Sequence, residues 1–214
     1  MTTLTAALAD PRSSVRLRAV MAAGTHPDPA DLDVLVEQCA VEPDFFVRDM
    51  LTWALIRHPA DDVVRRVLPE LDRPIPQARS QALHTLSKIG DPGVWPSVRP
   101  LLDDSDVEVL RAAWRTAAAL VPDAESAALA RTMAAHLGKG DRETRLSLSR
   151  AIVALGEDAV RPVLDEAAGS SDAEVRTHVV EIDRLLHDPD AASALAVERA
   201  RREVALGRTR SAKG

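Results

Sequence analysis

Six arginines, Arg16, Arg48, Arg79, Arg111, Arg145 and Arg176, stand 32, 31, 32, 34 and 31 residues apart. A second set of landmarks keeps the same period: breaks in the apolar pattern at Pro29, Pro59, Pro92, Pro122, Gly156 and Pro189, spaced 30, 33, 30, 34 and 33. Two unrelated landmarks on one period constrain the chain to a stack of small units, each too thin to bury its apolar face alone and each covered by its neighbours. Composition agrees with that reading. The 214 residues are 46% apolar but contain two Phe, three Trp and no Tyr, so core volume comes from Leu, Val, Ile and Ala. Many thin layers suit such side chains better than one deep centre.

Both halves of each unit read as helices. After Arg48, the residues Met50, Leu51, Ala54 and Leu55 fall on one face of a 3.6-residue period, as do Ala82, Leu86 and Ile89 after Arg79, and Leu148, Ile152 and Leu155 after Arg145. The second halves carry Val63, Val64, Val67, Leu68 and Leu71 in one unit and Val94, Trp95, Val98, Leu101 and Leu102 in the next. Asp91-Pro92 and Asp188-Pro189 place a capping acceptor before a proline, whose missing N–H costs nothing in a first helical turn. No stretch alternates as a strand would. The expectation is an all-α chain of about six helix pairs behind a short capping helix near 3–9. It forms a single domain over residues 1–206, followed by a basic, disordered tail at 207–214.

The run from Gly90 to Asp104, followed by Asp106 and Arg111, resembles HEAT repeats of the short bacterial type, a group that includes the phycobilin-lyase-like repeats. Asp172-Ala173-Glu174-Val175-Arg176 and Asp44-Phe45-Phe46-Val47-Arg48 match the acidic-x-x-Val-Arg opening of that family. The resemblance extends from about Asp10 to Asp190 and implies a right-handed α-solenoid. It also implies that the recurring arginines form a structural ladder, pairing with acids or loop carbonyls of their own or the adjacent repeat. In the fourth repeat, Val109-Leu110-Arg111 puts Leu where the register expects Arg. Either a one-residue slip or a lost ladder contact is expected there.

Catalytic patterns are absent from the sequence. There is no Gly-x-Ser-x-Gly elbow and no glycine-rich phosphate loop. The single cysteine, Cys39, lies on the apolar face of Leu32, Leu35 and Val36, which predicts buried filler, and it rules out an internal disulfide or a cysteine-rich zinc site. Six histidines occupy 26, 58, 84, 136, 178 and 187, with no pair at i, i+4, so no metal or cofactor is expected. His26, His58 and His187 stand at predicted helix ends, where the negative end of the helix dipole favours a partly protonated ring. No apolar run approaches the roughly 18 residues of a membrane span and no secretory leader is evident, so a cytoplasmic protein is the default.

Charge narrows the partner. The chain carries a formal −6, and from Glu198 to Gly214 six bases face two acids, so the preceding body carries −10. An acidic body argues against broad nucleic-acid binding, which depends on neutralising phosphates. On the second helices, which line the concave side in the resembled family, Arg65, Arg66, Arg99, Arg131 and Arg161 recur near the repeat spacing. They would form a positive stripe for an acidic protein or peptide, unless they are solvated arginines paired with acids such as Glu70, Asp103 or Asp165. Trp53 lies off the apolar face of its helix, in a row with Met21 and His84, with Phe45 and Phe46 nearby. It is expected to be partly exposed, either covered by a neighbouring element or marking a second contact patch. The favoured function is a non-enzymatic protein- or peptide-binding scaffold. The alternative is a nucleic-acid-associated protein or a degenerate form of the HEAT-like DNA glycosylases. Against the glycosylase pattern of Trp with Asp, the residues four after Trp53, Trp95 and Trp114 are Arg57, Arg99 and Ala118.

Overall fold

The computed structural model describes residues 3–187. The expected break at Pro189, the domain limit at 206 and the basic tail lie outside them. The described residues form twelve α-helices and no strand: α1 Thr3–Leu8, α2 Ser13–Thr25, α3 Leu32–Val41, α4 Phe45–Leu55, α5 Ala60–Val67, α6 Pro76–Ile89, α7 Trp95–Val98, α8 Val107–Leu120, α9 Ser126–Ala134, α10 Arg142–Ala154, α11 Glu157–Ala168 and α12 Ala173–His187. The all-α repeat fold expected from the period is therefore the observed one. The capping helix is α1, the first helices of successive repeats are α2, α4, α6, α8, α10 and α12, and the second helices are α3, α5, α7, α9 and α11. None of the described helices is long and apolar enough to cross a membrane.

The chain divides into two compact units, Met1–Ala112 and Ala113–Gly214, with the boundary inside α8. In the first unit α2 packs on α4 and α4 on α6, while α3 packs on α5, so first helices layer on first helices and second on second. The core there is made by Val20, Leu35, Leu51, Leu55, Val63, Leu83 and Leu86. The second unit repeats the scheme, with α10 against α12 and α9 against α11 around Trp114, Met133, Leu148, Leu164 and Ile182. Side chains of modest size fill these layers, as the scarcity of rings requires.

Two of the second helices, α5 and α7, are shorter than their apolar pattern suggests. The run Val63–Leu71 is helical only to Val67 and then tightens into a 3₁₀ turn, Leu68–Asp72, and the run Val94–Leu102 has a four-residue α7 between two 3₁₀ turns. Pro69 and Pro100 stand second in those 3₁₀ turns. A proline there donates no N–H to the carbonyl four residues back and crowds it, so the backbone tightens rather than continuing as α-helix. Asp28 and Asp91 cap the turns that open second helices, accepting from Ala30 N–H at 2.9 Å and Gly93 N–H at 2.8 Å.

Four of the six recurring arginines fold back over the first turn of their helices. Arg16 donates to the carbonyls of Asp10 and Pro11, Arg48 to those of Glu42 and Pro43, Arg79 to that of Arg73, and Arg176 to that of Ser170. These carbonyls lie five or six residues upstream, so the guanidinium clamps the segment that leads into the helix. For Arg16 and Arg48, the residue six positions before the next arginine decides what else the guanidinium meets. Where that residue is Glu42, Arg16 makes a bidentate pair, Nε at 2.8 Å and Nη2 at 2.7 Å. Where the next ladder position is Arg79, the residue six before it is Arg73, and no acid faces Arg48 from there. Arg79 in turn pairs with Asp104 through Nε and Nη2 at 2.9 and 3.0 Å. In the second unit Arg145 reaches Glu174 at 2.6 Å.

The fourth repeat shows a one-residue slip. Asp106 accepts from Glu108 N–H and Val109 N–H just as Asp44 accepts from Phe46 N–H and Val47 N–H. Arg48 stands four residues after its cap and Arg111 five after its own. Arg111 stays buried and reaches Glu108 of its own helix at 3.1 Å. The slip also sets Asp104 six residues before Leu110, the register position, where it serves Arg79.

Glu42 is the deepest charge of the first unit, with 0% of its surface exposed. Besides Arg16 it accepts from Gln38 Nε2 at 2.8 Å and from Asp44 N–H at 3.0 Å. Burial works to raise its pKa, but these donors together outweigh burial and hold the carboxyl below its usual 4.5. Its contribution to stability is therefore complete above about pH 4.5 and declines as pH falls through the lowered value. Replacing Arg16 with Ala leaves a buried carboxylate without its cation and is expected to cost about 3–5 kcal/mol. Arg48→Ala, which removes bonds to two carbonyls and an exposed contact with the Phe45 ring but no ion pair, is expected to cost about 1 kcal/mol. Urea titrations of the two variants check the ranking, and equal losses would show that the acid at position 42 is not what distinguishes the two arginines.

Candidate functional site

Of the five arginines expected to form a positive stripe, three are held by acids of their own unit. Arg65 pairs with Asp62 at 2.5 Å and Arg66 pairs with Asp33 of α3. Arg161 bridges Glu157 and Asp183, each at 2.8 Å. Hydrogen bonds that Arg161 donates to Asp183 and Glu157 raise its pKa, and the guanidinium in turn lowers that of Asp183. Arg99, just beyond α7, and Arg131, on α9, are exposed and make no ion pair with the described residues. Arg65, Arg66 and Arg99 belong to the first unit and Arg131 and Arg161 to the second. The partner acids differ from those suggested by spacing: Glu70 serves Arg73 at 3.1 Å instead.

Trp53 is half-buried, and the element covering it is α2. A Cβ placed on Gly24 would come within 2.2 Å of Trp53 Cζ3, 2.7 Å of Cε3 and 3.0 Å of Ala54 Cα. Gly24 is thus a small-residue notch in α2 that seats the indole and lets α2 and α4 approach. The neighbours in the expected row differ in environment: Met21 is exposed, and His84 is half-buried with Nε2 4.0 Å from Asp49. Gly24→Ala is expected to destabilise by about 1–3 kcal/mol through overpacking. In a Trp53→Ala background the same change should cost less, because of these contacts only the one with Ala54 Cα at 3.0 Å remains and alanine is the better helix former. Thermal unfolding of the four chains checks the reduction.

The exposed aromatic surface lies eight residues upstream. Phe45 and Phe46, the only phenylalanines of the chain, are 66% and 71% exposed. They occupy the first two positions of α4, fixed by the Asp44 cap, which turns Val47 and Leu51 inward and leaves the rings outward. The rings form an edge-to-face pair with centroids 5.7 Å apart, and the Arg48 guanidinium carbon sits 5.9 Å from the centroid of Phe45. Exposed Val41 lies at the other side of the same turn. Aligned on their helix caps, the other repeats carry Ser13-Ser14, Pro76-Gln77, Val107-Glu108, Arg142-Glu143 and Ala173-Glu174 here. The sequence reading placed these rings beside Trp53 without assigning them a role. The available signal was their departure from the repeat pattern at positions that face outward.

Cys39 and His58 are further buried polar side chains of the first unit. Cys39 is buried in a small cavity with Val36, Glu70 and Gln81, and burial, reinforced by the negative charge of Glu70, pushes its thiol up to about 12. It therefore remains a neutral thiol. His58 corrects the expectation from helix ends: it is buried, and loss of water lowers its pKa despite the opposing charges of Asp31, Asp28 and Asp62. Among the described residues no group of three or more His, Cys, Asp or Glu side chains is placed to hold a metal ion.

No family model matches the chain. No curated protein is similar to it at a significant level. Among solved structures, it is similar to an engineered protein of the Northeast Structural Genomics Consortium, with 17% identity, covering 90% of this chain and 96% of that one at a TM-score of 0.47. It is also similar to a designed armadillo repeat protein, with 14% identity, 86% and 98% coverage and a TM-score of 0.44. A second engineered protein of the same consortium matches with 18% identity over 98% of this chain and 63% of that one, at a TM-score of 0.47.

Proposed function

We propose that the chain is a non-enzymatic, HEAT-type scaffold that binds a protein or peptide, and that the first point of contact is the aromatic corner at the start of α4. The observation that carries this reading is the outward-facing Phe45–Phe46 pair on a capped helix terminus. Leaving two large rings in water forgoes stabilisation, since fully covering a Phe side chain contributes roughly 1.5–3 kcal/mol. A repeat protein could place Ser-Ser or Pro-Gln at these two positions, as its own other repeats do.

The corner is suited to docking for a second reason. The Asp44 cap fixes the backbone, the rings brace each other edge to face, and Arg48 lies against Phe45 while its guanidinium is tied to the carbonyls of Glu42 and Pro43. A partner meeting such a surface gains apolar contact while ordering few side chains. The arginine row is the weaker candidate, because Arg65, Arg66 and Arg161 already have acids and an incoming carboxylate would have to displace them.

The test is panning of a displayed peptide library on the intact chain, followed by calorimetric titration of the enriched peptides. Phe45→Ser with Phe46→Ser is expected to weaken binding at least about tenfold while the melting temperature stays nearly unchanged, since both rings are exposed and the Asp44 cap bonds backbone N–H groups that serine retains. Arg99→Glu with Arg131→Glu is expected to change affinity by less than about threefold. Peptides bound equally well by the Phe double variant would overturn the reading.

A further inference from the structure

His178 on α12 is the one buried imidazole of the second unit that is bonded through both ring nitrogens. It is 1% exposed. Its Nδ1 receives the Gly138 N–H at 3.1 Å, and a backbone N–H only donates, so Nδ1 carries no proton. The ring proton therefore sits on Nε2, which lies 3.1 Å from the Arg145 carbonyl and 2.9 Å from Ser149 Oγ. Ser149 Oγ donates its own hydrogen to the same carbonyl at 2.9 Å, which leaves its lone pairs free to accept from Nε2–H. The network assigns a single tautomer. It also joins three elements, because Gly138 belongs to the loop 135–141, Arg145 and Ser149 to α10, and His178 to α12.

The loop is shaped for this contact. Gly138 and Gly140 have φ of +75° and +77°, left-handed values that favour glycine. A Cβ on Gly138 would meet Val175 N at 2.9 Å and Glu174 C at 3.1 Å, so the loop lies directly on the start of α12. On the other side of the loop, the His136 ring meets Trp114 edge to face with centroids 5.1 Å apart.

We propose that His178 is an acid-released latch: the neutral ring clamps the loop 135–141 to α12, and a proton on Nδ1 turns the acceptor into a donor facing the Gly138 N–H and frees the loop. The surroundings favour the neutral ring. Burial opposes its charging first, the positive charge of Arg145 opposes it too, and the Arg145 carbonyl and Glu181 pull the other way without overcoming burial. The remaining charges nearby are engaged elsewhere or lie in the loop itself. The Arg145 guanidinium is on Glu174, Arg161 of α11 is on Asp183 and Glu157, and Lys139 and His136 flank Gly138 in sequence.

The direction of the pH effect follows. The latched ring takes a proton less readily than a free histidine, whose ordinary value is 6.5, so the open form binds more protons below that pH. Closure is then fully present above about pH 6.5 and is lost as pH falls, by up to about tenfold in the open-to-closed ratio per pH unit.

The experiment uses the full chain labelled with ¹⁵N. At pH 7.5, long-range ¹H–¹⁵N spectra are expected to show His178 as the Nε2–H tautomer. Between pH 7.5 and 5.0 the Gly138 amide, normalised to its intrinsic exchange rate, is expected to lose protection up to about tenfold per pH unit below 6.5. A Nδ1–H tautomer, or Gly138 protection that stays constant over that range, overturns the proposal. His178→Gln is expected to flatten the pH profile whatever its overall stability, and a variant retaining the wild-type profile overturns it as well.

Discussion

A buried carboxylate at a repeat junction governs the first unit. Glu42 closes α3, and its carboxylate accepts from Arg16 of α2, from Gln38 of α3 and from the backbone that begins α4, while its carbonyl accepts from Arg48 of α4 and Gln77 of α6. One residue thus serves four helices. Apolar packing between helices of Leu, Val and Ala is non-directional and tolerates exchange of one such side chain for another of similar volume. A bidentate guanidinium pair is directional, because both bonds fail if either group shifts by an ångström. The apolar layers supply cohesion and the Arg16–Glu42 pair fixes where they settle.

The same comparison explains why the ladder was legible and its partners were not. An arginine repeated every 31–34 residues is visible in one sequence because it recurs. Its acceptors do not recur as residue types: they are backbone carbonyls for Arg48 and Arg176, a glutamate for Arg16 and an aspartate for Arg79. Backbone acceptors leave no trace in side-chain identity. Even the slip at Arg111 follows this logic, since Leu110 occupies the position the period assigns to arginine and only the Asp106 cap reveals by how much the register moved. The all-α repeat architecture was legible for a related reason, as apolar periodicity and proline breaks are local signals. The shortening of the second helices was not foreseen, although Pro69 and Pro100 were in plain view, because apolar spacing alone does not separate an α turn from a 3₁₀ turn.

Surface features were harder to rank. Recurrence made the arginines Arg65, Arg66, Arg99, Arg131 and Arg161 conspicuous, yet a surface arginine usually finds an acid within reach, and three of these five did. Trp53 drew notice as a rare ring off the apolar face, and its cover came from an absence of side chain at Gly24, which no hydrophobic pattern registers. His178 looked like any histidine without a neighbour at metal-ligand spacing. Its partners lie 29, 33 and 40 residues away, and two of those contacts are to backbone atoms.

These cases share a physical asymmetry that bears on any stacked-repeat chain. A position that recurs from unit to unit is held by requirements that recur, which are cap, clamp, core and break, so periodicity identifies what maintains the stack. A side chain that departs from its equivalents must have a local reason. If it points inward the reason is a contact inside the unit, as with Gly24 beneath Trp53 or His178 bonded to Gly138. If it points outward and is apolar, folding gains little from it, and water is a poor environment for it. Phe45 and Phe46 meet all three conditions at once: they depart from five equivalent pairs, they face solvent, and they are the chain's whole supply of phenylalanine. Departure from the period, taken together with outward direction, therefore separates the aromatic corner from the arginine row more sharply than residue type or charge does.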